Sequence, residues 1–303
     1  MNSLESSIVL HTGKVMPSLG LGTLMLTDKD HILNCIQNGY RHIDTAQDYE
    51  NEDIVGQAIN EAVEQGISRD ELFLTTKIWS TGYADPVESL KQSLSRLNQD
   101  YVDLVLVHWP MNDVDKEGDK PSFKKIPMYK IWQGMEQCVE QGLAKHIGVS
   151  NFNCQLLLDM LSYCEIKPAC NQIELHPYCQ QPELISFCQQ NDIQVVGYSP
   201  LSNPSRPFGG GGVVTVLEDP IIKEIAEKDA KTAAQVCLSW NLSRKVGLVV
   251  KCSTSIERAI ENLEALDYVM NPDDIDKINK IDKNERVFDA INWEDCLNVP
   301  IFK

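Results

Sequence analysis

The sequence predicts an α/β fold, a (β/α)8 TIM barrel with an N-terminal β-hairpin and a C-terminal tail and loops over the active-site face. Three observations carry this. Eight short apolar runs alternate with longer segments of helical period along the 303 residues. Parallel strands cannot be joined by tight turns, so strand–helix alternation implies crossover helices. No Gly-x-Gly-x-x-Gly follows the first run and no composition shift divides the chain, which favours a closed barrel over an open doubly wound sheet. One domain spanning residues 1–303 is expected, since α/β barrels fold as single units of this size.

The hairpin opens the chain: Ser7-Ile8-Val9-Leu10, a His11-Thr12-Gly13 turn, then Lys14-Val15-Met16. The eight runs are 18–22, 40–44, 72–77, 102–108, 146–150, 169–173, 194–198 and 247–251. They are too short for helices and rich in Val, Ile and Leu, as strands buried on both faces are. Between them, Ile54, Val55, Ala58, Ile59, Ala62 and Val63 mark one face of a helix over 50–65. Val87, Leu90, Leu94 and Leu97 do the same in the next segment, as do Ile131, Met135, Cys138 and Val139 after it. A Gly/Pro-rich loop over 201–212 has no Lys-Ser/Thr after its glycines and so is not a P-loop. Ile275, Ile278 and Ile281 predict a helix in the tail, followed by an irregular end.

The charge balance is acidic, with 27 Lys+Arg against 44 Asp+Glu, a net −17. Such a surface repels phosphate backbones and anionic lipid, so nucleic-acid and membrane partners are not expected. None of the ten cysteines forms a C-x-x-C pair, and no histidine stands at zinc-ligand spacing from them. They read as small buried hydrophobes in a reducing compartment, and no metal is expected. The N-terminus lacks a long apolar stretch and no run reaches membrane-spanning length, so a cytoplasmic location is expected.

Barrel chemistry sits where the strands end. The ends carry Asp44, Lys77, His108, Ser150-Asn151, Gln172 and Tyr198, each a polar stop to an apolar run. A buried carboxylate and ammonium each cost several kcal/mol unless paired, so Asp44 and Lys77 on neighbouring strands suggest an ion pair. His108, one strand farther round, is placed to exchange a proton.

The residues around these stops are similar to those of the aldo-keto reductase superfamily. The resemblance lies in Tyr40-Arg41-His42-Ile43-Asp44-Thr45-Ala46 with Tyr49, in Thr76-Lys77, and in Leu106-Val107-His108-Trp109-Pro110. It continues in Gly148-Val149-Ser150-Asn151-Phe152, in Asn171-Gln172 with His176-Pro177-Tyr178, and in Gly197-Tyr198-Ser199-Pro200-Leu201. Segment 166–182 and the tail Val299-Pro300-Ile301-Phe302 most resemble the aldose and xylose reductase branch.

The resemblance implies reduction of an aldehyde or ketone, such as an aldose or small aldehyde, with NADPH as hydride donor and NADH as a weaker alternative. It makes Tyr49 the general acid, Lys77 the stabiliser of its phenolate, Asp44 the holder of Lys77, and His108 the group orienting the carbonyl oxygen. Ser150, Asn151 and Gln172 match positions that bind the nicotinamide carboxamide, and Tyr198 matches the stacking ring. Gly22, Thr23, Ser199 and Leu201 also stand at cofactor positions. Leu24, Trp79, Trp109 and Trp293 match substrate walls, Leu24 replacing an aromatic found in many relatives.

At the cofactor's phosphate end the chain departs from the family pattern. Counted back from Glu261-Asn262, Arg258 and Ser253 match, but Cys252 occupies the usual lysine position and Lys251 lies one residue early. Arg258 favours a 2′-phosphate, because a guanidinium meets phosphate bidentately. Ser205 stands where a loop aspartate pairs with that lysine in relatives, so a weakly closing loop and fast cofactor exchange are expected. A monomer is the family-like default. The competing reading is a cofactor-binding regulatory or structural protein of the same fold, which can retain the complete catalytic set.

Overall fold

The computed structural model describes residues 7–116, 121–202, 215–252, 255–293 and 297–302. Strands β1 (Ser7–Val9) and β2 (Val15–Pro17) form the expected antiparallel hairpin. Gly13 at its turn has φ +84°, a conformation glycine enters without steric cost. Next come β3 (Leu19–Gly22), α1 (Lys29–Gln37), β4 (His42–Asp44), α2 (Glu52–Glu64), β5 (Phe73–Ile78), α3 (Pro86–Leu97) and β6 (Val102–Val107). A short ribbon of β7 (Val114–Asp115) and β8 (Ser122–Phe123) interrupts the alternation. The chain continues through α4 (Met128–Glu140), β9 (Ala144–Ser150), α5 (Cys154–Leu161), β10 (Cys170–Glu174), α6 (Pro182–Gln190) and β11 (Gln194–Tyr198). Then follow α7 (Pro220–Asp229), α8 (Ala233–Ser243), β12 (Gly247–Val250), α9 (Ile256–Leu263) and α10 (Pro272–Asn279).

Eight strands close a parallel barrel in the order β3-β4-β5-β6-β9-β10-β11-β12 and back to β3. All eight expected runs are strands of this barrel, with ends shifted by at most two residues. Every residue of β5 and β6 is buried, as continuous apolar runs between helices and barrel interior require. The hairpin covers the end where the strands begin: Ile8, Leu10 and Met16 pack with Phe73, Leu104, Val196 and Val249. The opposite end is therefore the one left to the site.

Local sequence sets the helix boundaries. Asp85 caps α3 by accepting the Glu88 N–H, and Pro86 opens the helix where no N–H is needed. Asp219-Pro220 and Asn271-Pro272 repeat the device at α7 and α10, and Thr232 with Gln235 forms a capping box at α8. Val55, Ala58, Ile59 and Ala62 of α2 are fully buried, but Val63 is 39% exposed, because it falls at the edge of the apolar stripe. The helix α10 ends at Asn279, so Ile281 packs from the loop beyond it. A second apolar cluster, with Trp109, Tyr178, Trp240, Val287 and Phe288, gathers α7, α8 and the tail.

Candidate active site

The ends of β4, β5, β6, β9, β10 and β11 surround a cavity of about 390 Å³. Asp44, Tyr49, His108, Ser150, Asn151, Gln172 and Tyr198 all line it, with Trp79, Trp109 and Trp293. Gly22, Leu24, Ser199, Leu201 and Lys251 complete the set of expected residues at its walls. Lys77 is buried beneath, its Nζ 2.5 Å from Asp44 Oδ1, 2.9 Å from the Thr45 carbonyl and 3.2 Å from the Tyr49 hydroxyl. Thr23 is also beneath the wall, donating from Oγ1 to the Asp44 carbonyl at 2.9 Å.

Neighbouring strands make this contact possible. Asp44 and Thr75 are register partners across β4 and β5, so Lys77, two residues on, points to the same interior face. Tyr49 comes from a short 3-10 turn after β4, which lifts its ring above Lys77. Gln172 donates to the second carboxylate oxygen, Asp44 Oδ2, at 2.8 Å, so both oxygens are satisfied. Beyond Gln172, the Ser150 hydroxyl donates to its carbonyl (2.8 Å), and Asn151 Nδ2 donates to Ser150 Oγ (3.1 Å) and the His108 carbonyl (3.0 Å). Tyr198 donates from its hydroxyl to Asn151 Oδ1 at 2.8 Å. Asn151 and Ser199 hold φ of +66° and +50°. Non-glycine residues persist in the left-handed region where surrounding contacts over-determine them, commonly at functional sites.

Burial raises the Tyr49 phenol above its ordinary value, against the opposing pull of the Lys77 ammonium. Burial also lowers Lys77, but the charges of Asp44 and Tyr49 outweigh it and leave the ammonium favoured. His108 is pushed well below the usual imidazole range by burial and then by Lys77, so the ring is neutral. It packs edge-on against Trp79 and Tyr49, at centroid distances of 5.1 and 5.8 Å. Its Nδ1 is buried without a partner, leaving Nε2 to the cavity.

The residues expected at a cofactor's phosphate end are not brought together in the same way. Lys251 lines the cavity but makes no hydrogen bond or ion pair among the described residues; partial burial lowers its pKa. Arg258 is exposed on the first turn of α9, outside the cavity wall. Glu261 accepts from the Thr232 hydroxyl at 2.7 Å, and buried Asn262 donates to Cys252 Sγ at 3.3 Å. Cys252 itself is buried against the Tyr40 hydroxyl, 3.2 Å away. Ser253 and Ser205, and with Ser205 most of loop 201–212, lie outside the described residues.

Sequence reasoning passed over several lining residues, three of them with side chains suited to substrate contact. Asp48 and Met25 line the cavity, and Phe288 reaches it from the tail. Asp48 had a signal, adjacency to Tyr49, and its carboxyl is raised by partial burial and by Glu50. Phe288 had none, since the tail carries no periodicity there.

Barrel, ion-paired lysine, tyrosine and neutral histidine are thus gathered around one cavity at the end where the strands finish. The profile of the Aldo/keto reductase family matches residues 19–283. The chain belongs to this family. It is 39% identical over 296 residues to an NADP-dependent D-sorbitol-6-phosphate dehydrogenase of Malus domestica, covering 93% of this chain and 95% of that protein. An NADH-dependent D-xylose reductase of Candida parapsilosis is 37% identical, with 98% and 97% covered. An NAD(P)H-dependent D-xylose reductase I,II of Candida tropicalis is 38% identical, also with 98% and 97% covered. The expected likeness to reductases of the xylose type is thus found along nearly the whole chain.

Proposed function

We propose that this chain reduces the carbonyl of an aldehyde or ketone, such as an aldose or small aldehyde, with NADPH as the preferred reductant and NADH as a weaker one. The observation that carries the reading is the Tyr49 hydroxyl held 3.2 Å from the Lys77 ammonium in the cavity lined by His108 and Trp109. The donor set suits a nicotinamide: the Tyr198 ring offers a flat face, and Ser150, Asn151 and Gln172 offer hydroxyl and amide groups for a carboxamide. Lys251, without a partner among the described residues, is a cation at the cavity wall available for a phosphate.

When bound, the dihydronicotinamide supplies a hydride to the carbonyl carbon. Tyr49 donates its phenolic proton to the carbonyl oxygen as negative charge gathers there. Burial keeps the phenol protonated at neutral pH, so the proton is present when needed. Lys77 stabilises the phenolate left behind, and Asp44, accepting from both Lys77 and Gln172, keeps the ammonium aimed at Tyr49. His108 is neutral and presents Nε2 to the same oxygen, ordering the carbonyl without competing as the acid. A proton from solvent restores Tyr49, and the product is the alcohol.

Asp48 supports a polyhydroxylated substrate, since a rim carboxylate accepts hydrogen bonds from hydroxyls that a simple aldehyde lacks. Following NADPH and NADH consumption with D-xylose and with an activated aromatic aldehyde tests the proposal. Turnover with NADPH faster than with NADH is expected. Tight NADPH binding with no turnover on either substrate would move the reading to the regulatory or structural alternative.

A further inference from the structure

We infer that Glu174, a buried residue with no contact to the cavity, is a positioning residue that clamps the C-terminal tail and thereby sets the substrate wall. Glu174 ends β10 beside Tyr198, its register partner on β11, and its side chain is fully buried. Its Oε1 accepts the Val287 N–H at 2.6 Å and its Oε2 the Phe288 N–H at 2.9 Å. A third donor comes from His176. That ring accepts the Tyr178 N–H on Nδ1 (3.3 Å), which leaves the Nε2 proton to reach Glu174 Oε1 at 2.9 Å. One carboxylate thus meets three N–H groups, and no neutral side chain of this size offers two acceptor oxygens.

The segment it grips builds the wall. Phe288 lines the cavity and packs edge-on against Tyr198, with ring centroids 5.7 Å apart. Directly after it, Asp289 caps a 3-10 turn over Ala290–Asn292, which delivers Trp293 onto Trp109 at 4.6 Å between ring centroids. Among the described residues the tail is part of no sheet, so this stretch of backbone has no ladder to hold its register. The loop after β10 supplies that register instead. The Tyr178 carbonyl accepts the Glu285 N–H (2.9 Å), Gln180 Nε2 donates to the Ile278 carbonyl (2.7 Å), and Arg286 donates to Gln181 Oε1 (2.6 Å). Glu174 is the last and most deeply buried of these ties, and the one directly behind Phe288.

The inference rests on the reductase reading for its kinetic readout, so the test has a second arm that needs no catalysis. Backbone amide exchange across 287–293 is measured in the ligand-free protein and in Glu174→Gln, which places an N–H donor against one of the three donors. Exchange in that segment is expected to rise about tenfold with the barrel strands unchanged. In steady state, the KM for a bulky aromatic aldehyde should rise about tenfold, that for glycolaldehyde by less than about twofold, and kcat should hold within about threefold. The double variant with Phe288→Ala should be no worse than Phe288→Ala alone, because both act through one wall.

Unchanged exchange, an equal KM rise for both aldehydes, a kcat loss without a KM change, or additive effects in the double variant would each overturn the proposal. Should Glu174→Gln fail to fold, Val287→Pro deletes one gripped N–H from the tail side and is read in the same way. Absence of turnover in the unmodified protein would sink the reductase reading, while the exchange arm would still decide the clamp.

Discussion

The two ends of the cavity are built on opposite plans. At the reaction end most polar groups, His108 Nδ1 excepted, are paired before any ligand arrives: Asp44 with Lys77 and Gln172, Ser150 with Gln172 and Asn151, Asn151 with Tyr198. Toward the proposed phosphate end Lys251 lines the wall and Arg258 lies outside it, both without partners among the described residues, and Glu261 and Asn262 are engaged by Thr232 and Cys252. Chemistry needs fixed geometry, because a reacting group misplaced by an ångström loses much of its effect. Discrimination between cofactors needs only a cation within reach of a phosphate. Under the proposed function the contrast predicts that turnover and cofactor preference are separable, each open to change without the other.

The largest expected effect tests the closed end. Tyr49→Phe removes the proton donor and should lower kcat by about 10²–10⁴-fold while NADPH affinity, followed by fluorescence quenching, barely moves. Near-normal turnover would mean that another group supplies the proton.

The opposite end of the barrel, where His42 packs on Phe73 at the start of β4, makes the fold sensitive to acid. Burial lowers the His42 pKa to about 4, against the raising pull of the Asp44 charge and of a backbone hydrogen bond to Pro17. The unfolded chain takes up that proton near the ordinary value of about 6.5, whereas the folded chain resists until about 4. Stability is therefore whole above about pH 6.5 and is lost as pH falls toward 4, by about 3 kcal/mol from this group. Urea melts across that window should reveal the slope, and His42→Gln should flatten it. An unchanged slope would assign the acid sensitivity to other groups.

Lys251→Met sharpens the contrast at the open end. A charge-assisted contact to phosphate is worth about 1.5–3 kcal/mol, so the NADPH dissociation constant should rise about 10–100-fold with kcat little changed. NADH binding should change much less. Equal losses would show that Lys251 meets the pyrophosphate shared by both cofactors. Arg258→Ala should have the smallest effect, a rise of about fivefold or less for NADPH and hardly any for NADH, since exposed ion pairs contribute at most about 1 kcal/mol.

Much of this was legible in the chain itself, for reasons that differ by region. The eight runs are apolar because both strand faces are buried, so burial wrote them plainly into the sequence. Asp44, Lys77 and His108 stood out because a titratable side chain at the end of such a run needs an explanation. The ribbon of β7 and β8 did not stand out, since two-residue strands such as Val114–Asp115 carry no period. Nor did Phe288 or Glu174, whose roles depend on an aperiodic tail folding back over β10 from more than a hundred positions away. The engagement of Asn262 by Cys252 was equally hidden, because a motif position says nothing of which way an amide turns.

The buried thiols carry a practical consequence. Cys35, Cys138, Cys179 and Cys188 are all pushed up to about 12 by burial, so almost none of their sulfur is ionised in the folded protein. Cys154 and Cys164 are only half-buried and would be the first of the nine described thiols to meet an alkylating reagent. The remaining seven amount to a concealed dye set, silent while the barrel is closed and labelled together when it opens. Mass-resolved alkylation during heating would then count intact barrels directly, without engineered labels and without any assay of activity.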